Sequence, residues 1–330
     1  MNKKLLTISI AAYNVEKYIE NTLNSVACED ILNDLEVIVV DDGSTDRTYS
    51  IAKKYEDLYP NTFKVIHKDN GGYGSTVNYS IKNTSGKYFK LLDGDDWYNT
   101  DGLKRLINEL EMTDADIVFN AFNKVINGKT IDGIKFQEKY FEREFGVEEL
   151  DINEGIPMHC VTYKTSVLKE SGVFLKENRL YTDNYYVSIP LTKVKTVKFL
   201  NFPVYDYRLG LEGQTMNRNV NIKHIDDLKE ISLDLARFFK TVDKNCECYN
   251  YLCTRIAATC VDYFAALLTL PINKEIHESI KSFDNFVKNE SQMLYKRMAD
   301  LDRKASKSLN LIRQSNYVLY WIFALIRRII

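Results

Sequence analysis

Short β-branched runs alternating with helical stripes are what most constrain this chain. Leu5–Ala11, Leu35–Val40, Phe63–Ile66 and Tyr88–Leu92 each offer a strand's length of apolar residues. Leu35–Val40 is apolar almost throughout, the mark of a strand covered on both faces. Between the runs lie helical stripes. The first is Ile19, Leu23 and Val26, behind Asn14 as N-cap. Next come Ile51, Tyr55 and Leu58 behind Asp46, then Ser75–Asn83, then Leu103, Leu106, Ile107 and Leu110 behind Thr100. Ala115–Phe122 reads as a further strand. This alternation predicts an α/β fold, a mostly parallel sheet flanked by helices.

Regularity breaks after that. Asn127-Gly128 is a hairpin turn signal between Asn123–Ile126 and Thr130–Phe136. Thr162–Glu170 reads as a helix stopped by Gly172, and Val197–Asn201 and Val204–Arg208 as two short strands. Beyond Asn221 only helical stripes remain, as in Leu228, Ile231, Leu235 and Phe238. The expected domains are therefore 1–219 and an all-helical C-terminal region, 220–330. A length of 330 residues allows about two domains.

Composition excludes several classes. With 45% hydrophobic and 27% charged residues the chain is neither disordered nor collagenous. A net charge of −2 supplies no basic field, so nucleic acid is not an expected partner. The spacing C-x-C-x4-C-x6-C from Cys246 to Cys260 lacks zinc knuckles, and Cys260 lies on the apolar stripe of Leu252, Ile256, Phe264 and Leu267. Reduced thiols and a cytoplasmic setting are the expectation. Leu5–Ala12 after Met1-Asn-Lys-Lys imitates a signal peptide but leads directly into a helix, so it reads as a first strand. No run is long enough to span a bilayer. Tyr317–Ile326 is nonetheless apolar and Arg327-Arg328 follow it. Residues 304–330 hold Lys304, Lys307, Arg313, Arg327 and Arg328 and no acid. That end is expected to dock on a membrane surface, with packing against the body or a second subunit as the alternative.

In an open sheet, ligands bind beyond the carboxyl ends of the strands. Here those ends are Ala11-Ala12-Tyr13-Asn14, Asp41-Asp42-Gly43-Ser44-Thr45-Asp46 and Asp93-Gly94-Asp95-Asp96-Trp97. Asp93, Asp95 and Asp96 repel one another unless a cation or proton compensates, and clustered hard oxygens suit Mg²⁺ or Mn²⁺ together with a diphosphate. A solvated acidic turn is the competing reading. Either Asp41 or Asp42 could face a base or ribose, and Tyr13 could stack on a base or wedge under the helix. Asn70-Gly71-Gly72-Tyr73-Gly74-Ser75 matches neither the P-loop nor the dinucleotide fingerprint.

Together these segments carry a resemblance. Ser9-Ile-Ala-Ala-Tyr-Asn14, Val39-Val-Asp-Asp-Gly-Ser-Thr-Asp46, Asn70-Gly-Gly-Tyr-Gly-Ser-Thr-Val-Asn78 and Leu92-Asp-Gly-Asp-Asp96 stand in the order found in family 2 glycosyltransferases, which have the GT-A fold. Tyr181-Thr-Asp-Asn-Tyr-Tyr186 and Pro203-Val-Tyr-Asp-Tyr-Arg208 extend the likeness over roughly residues 4–215. Thr182 stands where the family usually has Glu, and Ala11-Ala12 where Pro and a small residue are commoner.

The resemblance implies an inverting transfer from a nucleotide-diphosphate sugar, commonly a UDP-sugar. Tyr13 would stack on the base, Asp42 would bond its edge, and Gly72 and Asn78 would join the donor site. Asp93 and Asp95 would form the D-x-D pair, and Asp95 and Asp96 would hold Mn²⁺ or Mg²⁺. Asp183 would be the general base. The implied acceptor is a glycan or lipid-linked molecule of cell-surface polysaccharide assembly, met in the cytoplasm or at the inner face of the membrane, with room for a homo-oligomer. Gln214–Asn219 does not satisfy the processive Q-x-x-R-W pattern, which implies single addition. Acceptor specificity is expected from Asn123–Pro157 and Leu209–Asn219. A non-catalytic nucleotide-sugar-binding protein on the same fold is the alternative.

Overall fold

The computed structural model describes residues 4–141, 143–211 and 222–329. It divides into two compact units. One runs to Gly146 and resumes at Pro157–Leu211; the other takes Val147–Ile156 and the helices from Ile225 onward. The boundary expected near Asn219, and the segment Gln214–Asn219, lie outside the described residues.

The first unit is built on one sheet. Its strands are β1 (Leu6–Ala12), β2 (Leu35–Asp41), β3 (Phe63–His67), β4 (Tyr88–Asp93), β5 (Trp97–Tyr98), β6 (Ile117–Ile126), β7 (Lys129–Asp132), β8 (Glu144–Gly146), β9 (Val161–Lys164) and β10 (Thr196–Leu209). Among the described residues their order is β3-β2-β1-β4-β9-β6-β10-β5, with β7 beside β6 and β8 beside β10. The half from β3 to β4 is parallel, as expected, with Ile8 opposite both Val37 and Lys90. All seven residues of β2 are buried, consistent with helices α1 (Ile19–Val26), α2 (Thr48–Leu58), α3 (Tyr73–Asn83) and α4 (Thr100–Glu111) closing the connections.

The other half departs from a mostly parallel sheet. Thr162–Glu170 is not one helix: Val161–Lys164 is strand β9, and only Thr165–Glu170 is helical (α5). β9 runs antiparallel between β4 and β6, so that Tyr163 faces both Phe89 and Ile117. Open backbone on both neighbours decides this, and the local pattern contains no sign of it. The two short strands expected after Thr196 are one long strand, β10, whose register with β6 shifts between Leu200 and Tyr205. Pro203, which lacks a backbone donor, sits in that irregularity. Two caps also move. Asn99, not Thr100, caps α4 through its Oδ1 and Gly102 N at 2.8 Å, and Asn14 caps no helix.

In the second unit the helices are α7 (Ile225–Thr241), α8 (Tyr249–Leu267), α9 (Lys274–Glu290), α10 (Gln292–Asp300), α11 (Lys304–Gln314) and α12 (Tyr320–Ile329), after the four-residue α6 (Asp183–Tyr186) of the first unit. α8 is buried along nearly its whole length, Cys253 and Cys260 included. Val147–Ile156 belongs to this unit: Tyr251 Oη accepts from Ile156 N at 3.2 Å, and Asn153 Nδ2 donates to Asp300 O at 2.7 Å. On α7 the buried stripe ends at Phe239 rather than Phe238. Among the described residues no helix is long and apolar enough to cross a membrane.

Candidate active site

The ends of β1 and β2 are tied together by side chains. Asn14, at φ 51°, accepts from Thr45 N through Oδ1 at 2.9 Å and donates its own N–H to Ser44 Oγ at 2.9 Å. Asp46 accepts from Glu16 N and Thr48 N. This lacing holds the loops while the Tyr13 ring stands 51% exposed at the end of β1. Asp41 is buried against His67 Nδ1 at 2.5 Å. Asp42 is also buried and organises the glycine loop. Its oxygens accept from Lys68 Nζ (2.6 Å), Gly71 N (3.0 Å) and Gly72 N (2.7 Å). Asn78 clamps the backbone of Leu175, donating to its carbonyl at 2.8 Å and accepting from its N–H at 2.9 Å.

At the end of β4 the chain turns within van der Waals reach of β1. A Cβ on Gly94 would stand 2.8 Å from Ala11 O, so this turn admits only glycine between Asp93 and Asp95. Thr22 Oγ1 fixes the loop by donating to Asp96 O at 2.6 Å. The Asp96 carboxylate is buried, taking Tyr205 Oη at 2.7 Å and Arg208 N at 2.7 Å. Arg208 Nε donates to Asp95 O at 2.8 Å, and its guanidinium lies over the Trp97 ring. Asp93 Oδ1 is buried with no hydrogen-bond partner.

The electrostatics are those of crowded anions. Burial raises the Asp93 carboxyl well above the usual range, and the charges of Asp95 and Asp183 raise it further. Burial likewise raises Asp96, helped by Asp93 and Asp95. Asp183, the first residue of α6, therefore shares a field with the D-x-D loop although ninety residues of chain separate Asp93 from it. Tyr207 feels all four carboxylates. The fold thus brings Asp93, Asp95, Asp96 and Asp183 together, with Tyr13, Asp42 and Gly72 on the neighbouring loops.

His159 joins them without having been legible in the sequence. Ligand atoms of Asp93, Asp96 and His159 lie within 4.8 Å of one another. The imidazole is stacked on Tyr207 (4.4 Å between centroids) and Phe122 (5.1 Å), and burial, with the charges of Lys90 and Lys124, pushes its pKa down to about 3. Its Nδ1 is buried without a partner. The ring is neutral and able to ligate. It arrives here because His159 precedes β9, the strand that the local pattern hides. Buried Lys90 holds that segment, donating to His159 O at 3.0 Å and Asn120 Oδ1 at 2.9 Å, and burial pushes its own pKa down to about 7. Two carboxylates and an imidazole, with an orphaned oxygen and an orphaned nitrogen among them, fit a divalent cation; the nitrogen favours Mn²⁺ over Mg²⁺. Asp95 is not part of this donor set.

The C-terminal end is divided in character. Val318, Trp321, Ile322 and Leu325 are exposed, while Tyr320 is buried. Arg313, expected among the basic residues facing a membrane, instead points inward and grips Asp284 with Nε at 3.1 and 3.0 Å and Nη2 at 2.5 Å. A buried carboxylate outcompetes a surface role for it. The side chains of Arg327 and Arg328 lie outside the described residues.

The chain is similar to known glycosyltransferases. The family model described as glycosyl transferase family 2 matches residues 7–172. A Rickettsia typhi protein described as an uncharacterized glycosyltransferase is 28% identical over 249 residues, 73% of each chain. Residues 1–349 of S. aureus TarS in complex with UDP-GlcNAc superpose with a TM-score of 0.69 at 21% identity, over 98% of this chain and 91% of that one. A mannosyltransferase from Pyrobaculum calidifontis in complex with GDP-Man and Mn²⁺ gives 0.55 at 14% identity, over 100% and 88%. At these identities the two structures speak for the fold.

Proposed function

Since this chain belongs to glycosyl transferase family 2 and is a glycosyltransferase of the GT-A fold, we propose that it moves single sugars from a UDP-sugar to a hydroxyl of a glycan or lipid-linked acceptor in cell-surface polysaccharide assembly. The observation that carries this reading is the convergence of Asp93, Asp95, Asp96 and Asp183 in one field. Four carboxylates so crowded are costly unless a proton, a cation or a reacting partner answers them.

In this reading Tyr13 stacks on the base. Asp42, held rigid by Lys68 and the glycine loop, accepts from the base edge. Gly72 and Asn78 shape that loop and its neighbour. Asp93 and Asp95 orient the ribose and diphosphate, and Asp93, Asp96 and His159 would hold Mn²⁺ or Mg²⁺. A divalent ion there would neutralise charge on the departing diphosphate. Asp183 takes the proton of the acceptor hydroxyl as its oxygen attacks the anomeric carbon opposite the leaving group, which inverts the centre.

The exposed Val318, Trp321, Ile322 and Leu325 support peripheral docking on the inner membrane face. Flotation of the full chain on anionic liposomes, against W321S/I322S/L325S, checks this. Concentration-dependent dimerisation lost in the same variant would make the face a subunit contact instead.

The donor reading is tested by thermal shift with UDP-GlcNAc and GDP-Man, each with Mn²⁺ or chelator. Stabilisation of about 2.7 kcal/mol is expected when the true donor reaches a hundred times its Kd. Asp95→Asn should abolish the shift. A shift of equal size in chelator removes the cation from donor binding, and no shift with any UDP-sugar sinks the UDP assignment. Release of UDP separates an enzyme from a binding protein.

A further inference from the structure

The β6–β7 hairpin extends the active-site surface outward. Asn127 and Gly128, at φ 50° and 76°, close its turn. Side chains alternate along a strand and cross-strand partners share a face. On β6, Phe122, Lys124 and Ile126 therefore point the same way, and their partners on β10 are Tyr205, Tyr207 and Leu209. Opposite Lys124 and Ile126 on β7 stand Ile131 and Lys129. Phe122, Tyr205 and Tyr207 are the rings that enclose His159. One surface thus runs from the carboxylate cluster across Tyr207 to Lys124, Ile131, Ile126 and Lys129. The hairpin is seated against it, since a Cβ on Gly133 would enter the Phe122 ring at 2.5 Å.

That outer surface has a definite chemistry. Ile126 and Ile131 are 38% and 50% exposed. Lys124 and Lys129 make no hydrogen bond or ion pair among the described residues, and on the hairpin itself no acid shares their face. Asp132 lies on the opposite face, level with Asn123, and pairs with Lys135 at 2.6 Å. As diagonal neighbours the two lysines start about 7 Å apart, close enough for both ammoniums to reach one phosphate.

We infer that this hairpin face is the shelf on which the acceptor lies, and that Lys124 and Lys129 hold a phosphate of the acceptor chain while Ile126 and Ile131 carry its carbon skeleton. The inference rests on the glycosyltransferase reading and adds the acceptor's charge class. Continuity with Tyr207 and His159 favours an acceptor over a lipid surface, because whatever lies on the shelf adjoins the reacting centre.

The test uses the full chain, its K124Q/K129Q variant and its K124R/K129R variant. Binding of a short synthetic glycerol-phosphodiester chain is measured beside maltohexaose as neutral control, and UDP binding is measured on the same samples. The expected result is phosphodiester binding that falls about tenfold or more in K124Q/K129Q and recovers in K124R/K129R, with UDP affinity unchanged. Equal binding by wild type and K124Q/K129Q, equal binding of maltohexaose, or no phosphodiester binding by wild type overturns the inference; intact UDP binding then leaves the donor reading standing. Loss confined to phosphatidylglycerol vesicles also overturns it, in favour of a membrane-facing hairpin. If K124Q/K129Q loses UDP as well, K124R/K129R decides: recovery of both ligands upholds the shelf, and recovery of UDP alone removes it.

Discussion

Two buried carboxylates show how differently the two units treat charge. In the helical unit Asp284 is enclosed by partners: Arg313 on both oxygens and Tyr317 Oη at 2.6 Å. In the α/β unit Asp93 has a hydrogen bond with Tyr73 but faces the like charges of Asp95 and Asp183 and keeps one buried oxygen bare. A closed pair needs nothing more and holds helices α9 and α11 together. An open cluster is relieved by a proton or by a cation or ligand from outside the chain. Buried charge therefore separates scaffold from site by its partners, not by its depth.

The sharpest way to break this contrast is at Asp183. Asp183→Asn is expected to cut turnover about a thousandfold while donor affinity holds, the scale of lost general-base catalysis. Donor titration and rate are measured on one preparation. Collapse of affinity with turnover retained would make Asp183 a donor ligand and dissolve the distinction between reacting and binding carboxylates.

Arg313 tests the closed side. Arg313→Met strands Asp284, and denaturant unfolding should show a loss of about 3 kcal/mol. Arg313→Met with Asp284→Leu should recover most of it, since an apolar pair no longer buries an unanswered charge. If the double replacement is as unstable as the single one, the pair is needed for more than its charge balance.

The smallest effect lies at Glu36, a closed carboxylate within the α/β unit. It accepts from Thr7 Oγ1 at 2.7 Å, Lys64 Nζ at 2.8 Å and Ser85 N at 2.7 Å. Burial alone would raise its pKa, but the bonds from Lys64, Ser85 and Thr7 together outweigh burial and leave it below the ordinary 4.5. A depressed folded-state value means stability that is full above the unfolded pKa and lost as pH falls through the folded one. Glu36→Gln should cost on the order of 1 kcal/mol at neutral pH and flatten the acid limb of a stability profile. An unchanged acid limb would show that Glu36 contributes little to acid unfolding.

Much of the candidate site was legible as a set of segments because its proposed residues lie in contiguous motifs. The first four strands fall within a residue or two of their expected limits, and the three polar strand ends converge as the parallel topology requires. Asp183 was reachable only through the family likeness, since nothing local distinguishes it from a loop carboxylate. His159 was not reachable at all. It lies beside β9, whose residues mimic the start of a helix, and the Asn127-Gly128 turn announced a hairpin without saying what surface its lysines would extend.

Periodicity, turn residues and short acidic motifs are local properties, and they were sufficient for the α/β alternation, the D-x-D loop and the helical C-terminal region. Which way β9 runs, where Arg313 points and which histidine meets Asp93 and Asp96 are set by partners far away in sequence. Open strand edges claim β9, a buried carboxylate claims Arg313, and the enclosing rings of Phe122, Tyr205 and Tyr207 orient His159. Such choices follow the free energy of pairing and desolvation, which exists only once distant segments have come together.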